Sequence, residues 1–187
     1  NSSGSDLNNG ARGEWAYSNN LVFMESFTGS ANNAQDGLNW NLDLSNTIYP
    51  NSTTVRIENN EMWAQRVSNN SGFGYFETEN IDISASGNVI ATVDLNSAGS
   101  MEAADFIDVY YVIDGGPEVI FPINGSNNDD MGPVTAEASG LSGNTLKIVI
   151  RFRNSASNEY YYFDDIVVRT DDGITVPTIT DPSDPNS

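Results

Sequence analysis

Two adjacent aspartates, Asp164 and Asp165, stand in the segment "NEYYYFDDIVVRT", between a run of aromatic residues and the apolar run Ile166, Val167 and Val168. Alternation along an extended strand puts Tyr162, Asp164, Ile166 and Val168 on one face and Phe163, Asp165 and Val167 on the other. Whichever face turns inward then carries a carboxylate with it, and an unpartnered buried carboxylate costs several kcal/mol. Basic partners are scarce, 7 against 26 acidic side chains. A hard divalent cation taking side-chain and carbonyl oxygens would satisfy the charge and tie this last strand to a neighbour. An arginine partner or backbone amides are the alternatives. A matching carboxylate lies near the other end of the chain, Glu25 in "LVFMESF".

The chain of 187 residues has no cysteine and no histidine. A disulfide framework and thiol chemistry are thereby excluded, and the commonest general base and transition-metal ligand are missing. The formal charge of −19 repels nucleic acid and anionic membrane surfaces at long range, so neither is an expected partner. No stretch approaches the roughly 18 to 20 apolar residues that span a bilayer as a helix. Against this acidity, Arg56, Arg66, Lys147, Arg151 and Arg153 fall in or beside expected central strands. Lys147, Arg151 and Arg153 share one non-core face, a row able to offer forked hydrogen bonds to carboxylate or sulfate groups. Cross-strand pairing with acids such as Asp94 and Asp108 is the ordinary alternative.

The elements that position these groups are short runs of β-branched and aromatic residues separated by turn-forming residues, about ten strands and no convincing helix. In "TLKIVIRFRN" the alternation places Leu146, Ile148, Ile150 and Phe152 inward; in "DFIDVYYVID" it places Ile107, Val109, Tyr111 and Ile113 on one side. The expected fold is all-β, a two-sheet antiparallel β-sandwich of jelly-roll type. Residues 1–13 and the Pro/Thr/Asp-rich residues 173–187 have linker composition, leaving a module over 14–172 that suggests a piece of a longer secreted protein.

The early "MESF" strand together with the terminal "YFDDIVV" strand is similar to jelly-roll carbohydrate-binding modules of the calcium-containing β-sandwich type, in which first and last strands meet around a structural calcium. The middle of the chain, "DFIDVYYVIDGGPEVIF" with "GLSGNTLKIVIRFRNSASNEYYYFDDIVV", looks like modules of secreted marine-bacterial proteins that degrade polysaccharides. The resemblance implies Glu25 and Asp164 as Ca2+ ligands, with Asp165 beside them. Asp36 in "AQDGLNW" and Glu58 in "RIENNEMW", each in a polar turn beside a strand, are expected additions.

Sugar recognition needs an apolar ring face against the pyranose C–H surface and planar polar groups for the hydroxyls. Trp40, flanked by asparagines, and Trp63 are candidates for the ring, as is Tyr75 in the Gly-rich approach "SGFGYFE". Core packing is the competing reading for Trp40. Tyr110, Arg66, Arg151 and Arg153 supply the polar side. The resulting expectation is a monomeric, secreted, non-catalytic module that holds a catalytic domain of the same parent chain against a polysaccharide, an anionic algal cell-wall glycan in its sharpest form. A calcium-stabilised adhesin or spacer without a sugar groove is the alternative. A polysaccharide lyase or glycoside hydrolase stands third, since carboxylates abound but no catalytic motif is present.

Overall fold

The computed structural model describes residues 20–28, 39–47, 53–68, 71–122 and 132–171. Among them there are twelve strands and no helix: β1 (Leu21–Glu25), β2 (Trp40–Asp43), β3 (Thr54–Glu58), β4 (Glu61–Gln65), β5 (Gly74–Thr78), β6 (Ile81–Asp82), β7 (Val89–Ala98), β8 (Phe106–Ile113), β9 (Val119–Ile120), β10 (Val134–Leu141), β11 (Thr145–Arg153) and β12 (Tyr160–Thr170). Residues 1–13, residues 173–187 and Asp36 lie outside the described residues.

Two antiparallel sheets result. The first runs β10-β7-β12-β4-β3, with β1 continuing beside β12 where β4 stops; the second runs β2-β5-β11-β8-β9, with β6 extending the β5 side of β11. The chain crosses between sheets at most connections; successive strands stay in one sheet only at β3–β4 and β8–β9, which pair with each other, and at β5–β6, which both pair with β11. That is the sandwich topology expected from the alternating runs. The β3–β4 hairpin turns on Asn59 and Asn60, both left-handed at φ 55° and 65°, the conformation a two-residue primed turn requires.

The core forms where the inner faces meet. Leu146, Ile148, Ile150 and Phe152 of β11 are fully buried, as are Ile107 and Val109 of β8. Each such side chain contributes roughly 1.5–3 kcal/mol of burial. One end of the core is aromatic: Phe27 meets Trp40, Phe76 and Phe163 edge-on at 5.8, 5.8 and 5.7 Å. Phe163 also touches Phe76 and Phe152 at 5.3 and 5.7 Å.

Strand β12 departs from strict alternation. Tyr161, Phe163, Ile166 and Val168 are the buried set, so two residues rather than one separate Phe163 from Ile166. A bulge between Asp164 and Val167 interrupts the pairing with β7, and Asp165 takes a left-handed φ of 44°. The extra residue resets the phase, and neither aspartate enters the core. The expectation that Asp164, Ile166 and Val168 share a face is therefore corrected: the apolar residues on both sides stay inward because the bulge absorbs the carboxylates.

Candidate functional site

The outer face of the second sheet gathers most of the residues singled out for recognition. Opposite the buried row of β11, Lys147, Arg151 and Arg153 project outward, and antiparallel register sets Arg151 between Tyr75 of β5 and Asp108 of β8. Arg153 lies opposite Phe106. The Arg151 guanidinium carbon is 4.9 Å from the Tyr110 ring centroid, 5.4 Å from Phe73 and 5.8 Å from Tyr75. Arg153 sits 4.8 Å over Phe106 and donates through Nε to the Ala104 carbonyl at 2.6 Å. A positive planar group among ring faces is a favourable arrangement in its own right.

Acids of β5, of β8 and of the connection before β9 complete this face. Arg151 pairs with Glu118, and Lys147 Nζ lies 3.0 Å from Glu77. The Tyr75 hydroxyl reaches Glu118 at 3.3 Å and Glu77 at 3.4 Å, while the Tyr110 hydroxyl donates to Asp108 at 3.3 Å. Burial first, then the neighbouring carboxylates, push the Tyr75 phenol up to about 12, and burial likewise raises Tyr110. Both remain hydroxyl donors at neutral pH. Asp108 Oδ1 and Arg151 Nε are buried without a hydrogen-bond partner, leaving an acceptor and a donor unspent at the centre of the face. Phe73, Phe106, Glu77 and Glu118 were not singled out from the sequence. Only the neighbouring Gly-rich "SGFGYFE" signalled Phe73, and nothing local marks the acids.

The basic row is thus paired, but not as expected. Its partners are Glu77 and Glu118; Asp94 belongs to the other sheet, where it accepts a hydrogen bond from the Thr135 hydroxyl at 2.7 Å. Arg66 follows β4 of the first sheet and does not join Arg151 and Arg153. Trp40 is corrected outright: at 5% exposure it is core, 5.4 Å from Phe76, because β2 turns this ring between the sheets. It offers no face to a ligand.

Trp63 lies on the outer face of the first sheet. Arg56 covers it from β3 with the guanidinium carbon 3.3 Å from the ring centroid, and Tyr160 stacks on it from β12 at 4.7 Å and 2°. Both ring faces are occupied. Beyond it open two adjoining cavities that share Glu61, one of 180 Å³ reaching Glu58 and Tyr162 and one of 330 Å³ reaching Asp94, Asn96 and Asp164. Burial is the main cause that pushes the Asp164 carboxyl up to about 6, and the charges of Asp165, Glu61 and Asp94 add to it.

Among the described residues the carboxylates expected to share a calcium do not form a group of three within 4.8 Å. Glu25 Oε1 accepts the Phe27 amide at 2.9 Å at the end of β1. Glu58 is held by Arg56 at 2.6 Å on the outer face. Asp164 lines the larger cavity, and Asp165 occupies the bulge. Among the described residues the one group of three carboxylates within 4.8 Å of one another is a different one, Glu102, Asp105 and Glu159. Antiparallel pairing of β1 with β12 sets Glu25 opposite Ile166, next to Asp165, so the first and last strands do meet there.

No family model matches the chain, and no curated protein matches it. Solved structures do. One, from work on endo-acting O-glycanases of prominent human gut microbiota members that initiate mucin breakdown, is 10% identical, covers 80% of this chain and 99% of its own, and superposes with a TM-score of 0.51. A CBM4 structure is 12% identical over 78% of this chain and 96% of its own, TM-score 0.49. The K3 cleaved adhesin domain of Lys-gingipain from Porphyromonas gingivalis is 15% identical over 80% and 98%, TM-score 0.45. At 10% identity the first of these shows a likeness of fold alone, along nearly the whole length of that chain.

Proposed function

We propose that the chain is a non-catalytic carbohydrate-binding module whose ligand lies across the outer face of the second sheet. The observation that carries the reading is the cluster of Phe73, Tyr75 and Tyr110 around Arg151, edged by Glu77, Glu118 and Asp108. Ring faces suit the C–H surface of a pyranose, and the phenols, guanidinium and carboxylates supply paired donors and acceptors for hydroxyls. The first sheet is less suited, since Trp63, its outward tryptophan among the described residues, is covered on both faces. An anionic algal glycan would have to displace Glu118 from Arg151 and Glu77 from Lys147, against a net charge of −19. The face as it stands favours neutral polysaccharide. In a secreted parent chain such a module would act by holding an attached catalytic domain near its substrate, raising effective concentration.

Affinity gel electrophoresis against neutral and charged plant and algal polysaccharides tests this. Retardation by a neutral glycan is expected, abolished in Tyr110→Ala and in Arg151→Ala and retained in Trp63→Ala, with folding checked by thermal melting. Binding that survives both second-sheet substitutions, or no retardation by any glycan, would remove the assignment and leave an adhesin or spacer role. Release of reducing ends by the wild-type chain would overturn its non-catalytic part.

A further inference from the structure

The loops that carry the chain between the sheets after β7 and after β11 meet at one end of the sandwich. Gly99, at φ 103°, lets the first loop touch the second so closely that a Cβ there would run into the carbonyl oxygen of Asn158. This approach brings together Glu102 and Asp105 from one loop and Glu159 from the other, with one carboxylate oxygen of each within 4.8 Å of the others. Asp105 and Glu159 are 2% and 1% exposed. No ion pair between described residues reaches any of the three carboxylates; those that form are on other acids, Glu58, Glu77 and Glu118 among them.

The carboxylates are nevertheless fixed in place. Glu159 Oε2 accepts the amides of Ser155 and Ala156 at 3.0 and 2.6 Å, and Asp105 Oδ2 accepts the amide of Glu102 at 2.9 Å. Glu102 Oε2 accepts the Ser155 hydroxyl at 3.3 Å. The second oxygen of Asp105, Oδ1, is buried and has no partner. Ionised, the three anchored acids around an orphaned buried oxygen form an incomplete coordination shell, because carboxylates only accept; a cation or a shared proton must fill it.

We infer that Glu102, Asp105 and Glu159 bind a divalent hard cation, calcium, which clamps the β7–β8 loop to the β11–β12 loop and so one sheet to the other. All-oxygen, carboxylate-rich ligation suits Ca2+ and disfavours softer metals. Its anchor points tolerate little adjustment, but the connecting segments are loops, which suits the variable geometry of calcium better than the strict octahedron of magnesium. Without the ion a proton takes part of its place: burial pushes the Asp105 carboxyl up to about 7 and raises Glu159.

The test uses the full chain, stripped with chelator and titrated with CaCl2 by calorimetry, alongside thermal melting at pH 7.5. Calcium is expected to bind and to raise Tm, with magnesium at equal concentration giving a smaller shift. Asp105→Asn, which mimics the neutral acid, is expected to fold with a metal-free Tm at or above that of the stripped wild type, yet to lose one bound calcium per chain and its Tm increment. Glu159→Gln should lose the same ion, whereas Glu25→Gln and Asp165→Asn should keep it. Failure of calcium to bind the wild type would overturn the inference. So would unchanged binding in Asp105→Asn and Glu159→Gln, or loss of the ion only in the Glu25 and Asp165 variants.

Discussion

The left-handed residue at the β12 bulge can be tested by comparing two substitutions that delete the same carboxylate, Asp165→Gly and Asp165→Ala. In a regular strand glycine is the poorer choice by about 0.5–1 kcal/mol, since it loses more backbone freedom on folding. At φ 44° a Cβ crowds the following carbonyl and costs roughly 1–2 kcal/mol, which reverses the order. Subtracting one range from the other leaves glycine ahead by about 0.75 kcal/mol. For a chain of this length that is a difference of about 2 °C in Tm. Urea denaturation followed by tryptophan fluorescence, in chelator so that no ion contributes, resolves such a difference as a shift in midpoint at constant slope. The neighbouring position supplies the control. Asp164 is not left-handed, so Asp164→Ala should be more stable than Asp164→Gly, the opposite sign one residue away. If alanine matches or exceeds glycine at both positions, the bulge is absent and the account of how β12 keeps its aspartates out of the core fails.

Two further outcomes follow from the same geometry. Asn154 is fully buried, accepts the Val67 amide at 3.1 Å and donates to the carbonyls of Ala64 and Glu159 at 3.0 and 2.9 Å; Asn154→Ala should cost roughly 3 kcal/mol in urea unfolding, and a loss below about 1 kcal/mol would contradict the network. Asp164, raised from 3.8 to about 6, holds its proton more tightly in the folded than in the unfolded chain, so its contribution is complete below about pH 4 and is lost as pH rises through 6. Asp164→Asn measured in chelator should accordingly gain more Tm over wild type at pH 7.5 than at pH 4.5, and a pH-independent difference would rule out the strained carboxyl.

The residue pattern alone determined the two-sheet antiparallel fold and the inward rows of β8 and β11, because a period of two in apolar residues has one solution when one face must be dry. The same pattern placed Tyr110, Arg151 and Arg153 on outward positions, the Gly-rich approach singled out Tyr75, and register then set them side by side. It misread Trp40, whose polar neighbours in sequence say nothing about which rings lie opposite it once the sheets close. It also misread β12, where one inserted residue shifts every later side chain by a face, a change local composition does not announce. Glu102, Asp105 and Glu159 were beyond its reach altogether. Glu159 is more than fifty residues from the other two and becomes their neighbour only when two loops that cross between the sheets touch through a glycine, and that contact is a property of the closed sandwich rather than of any segment of the chain.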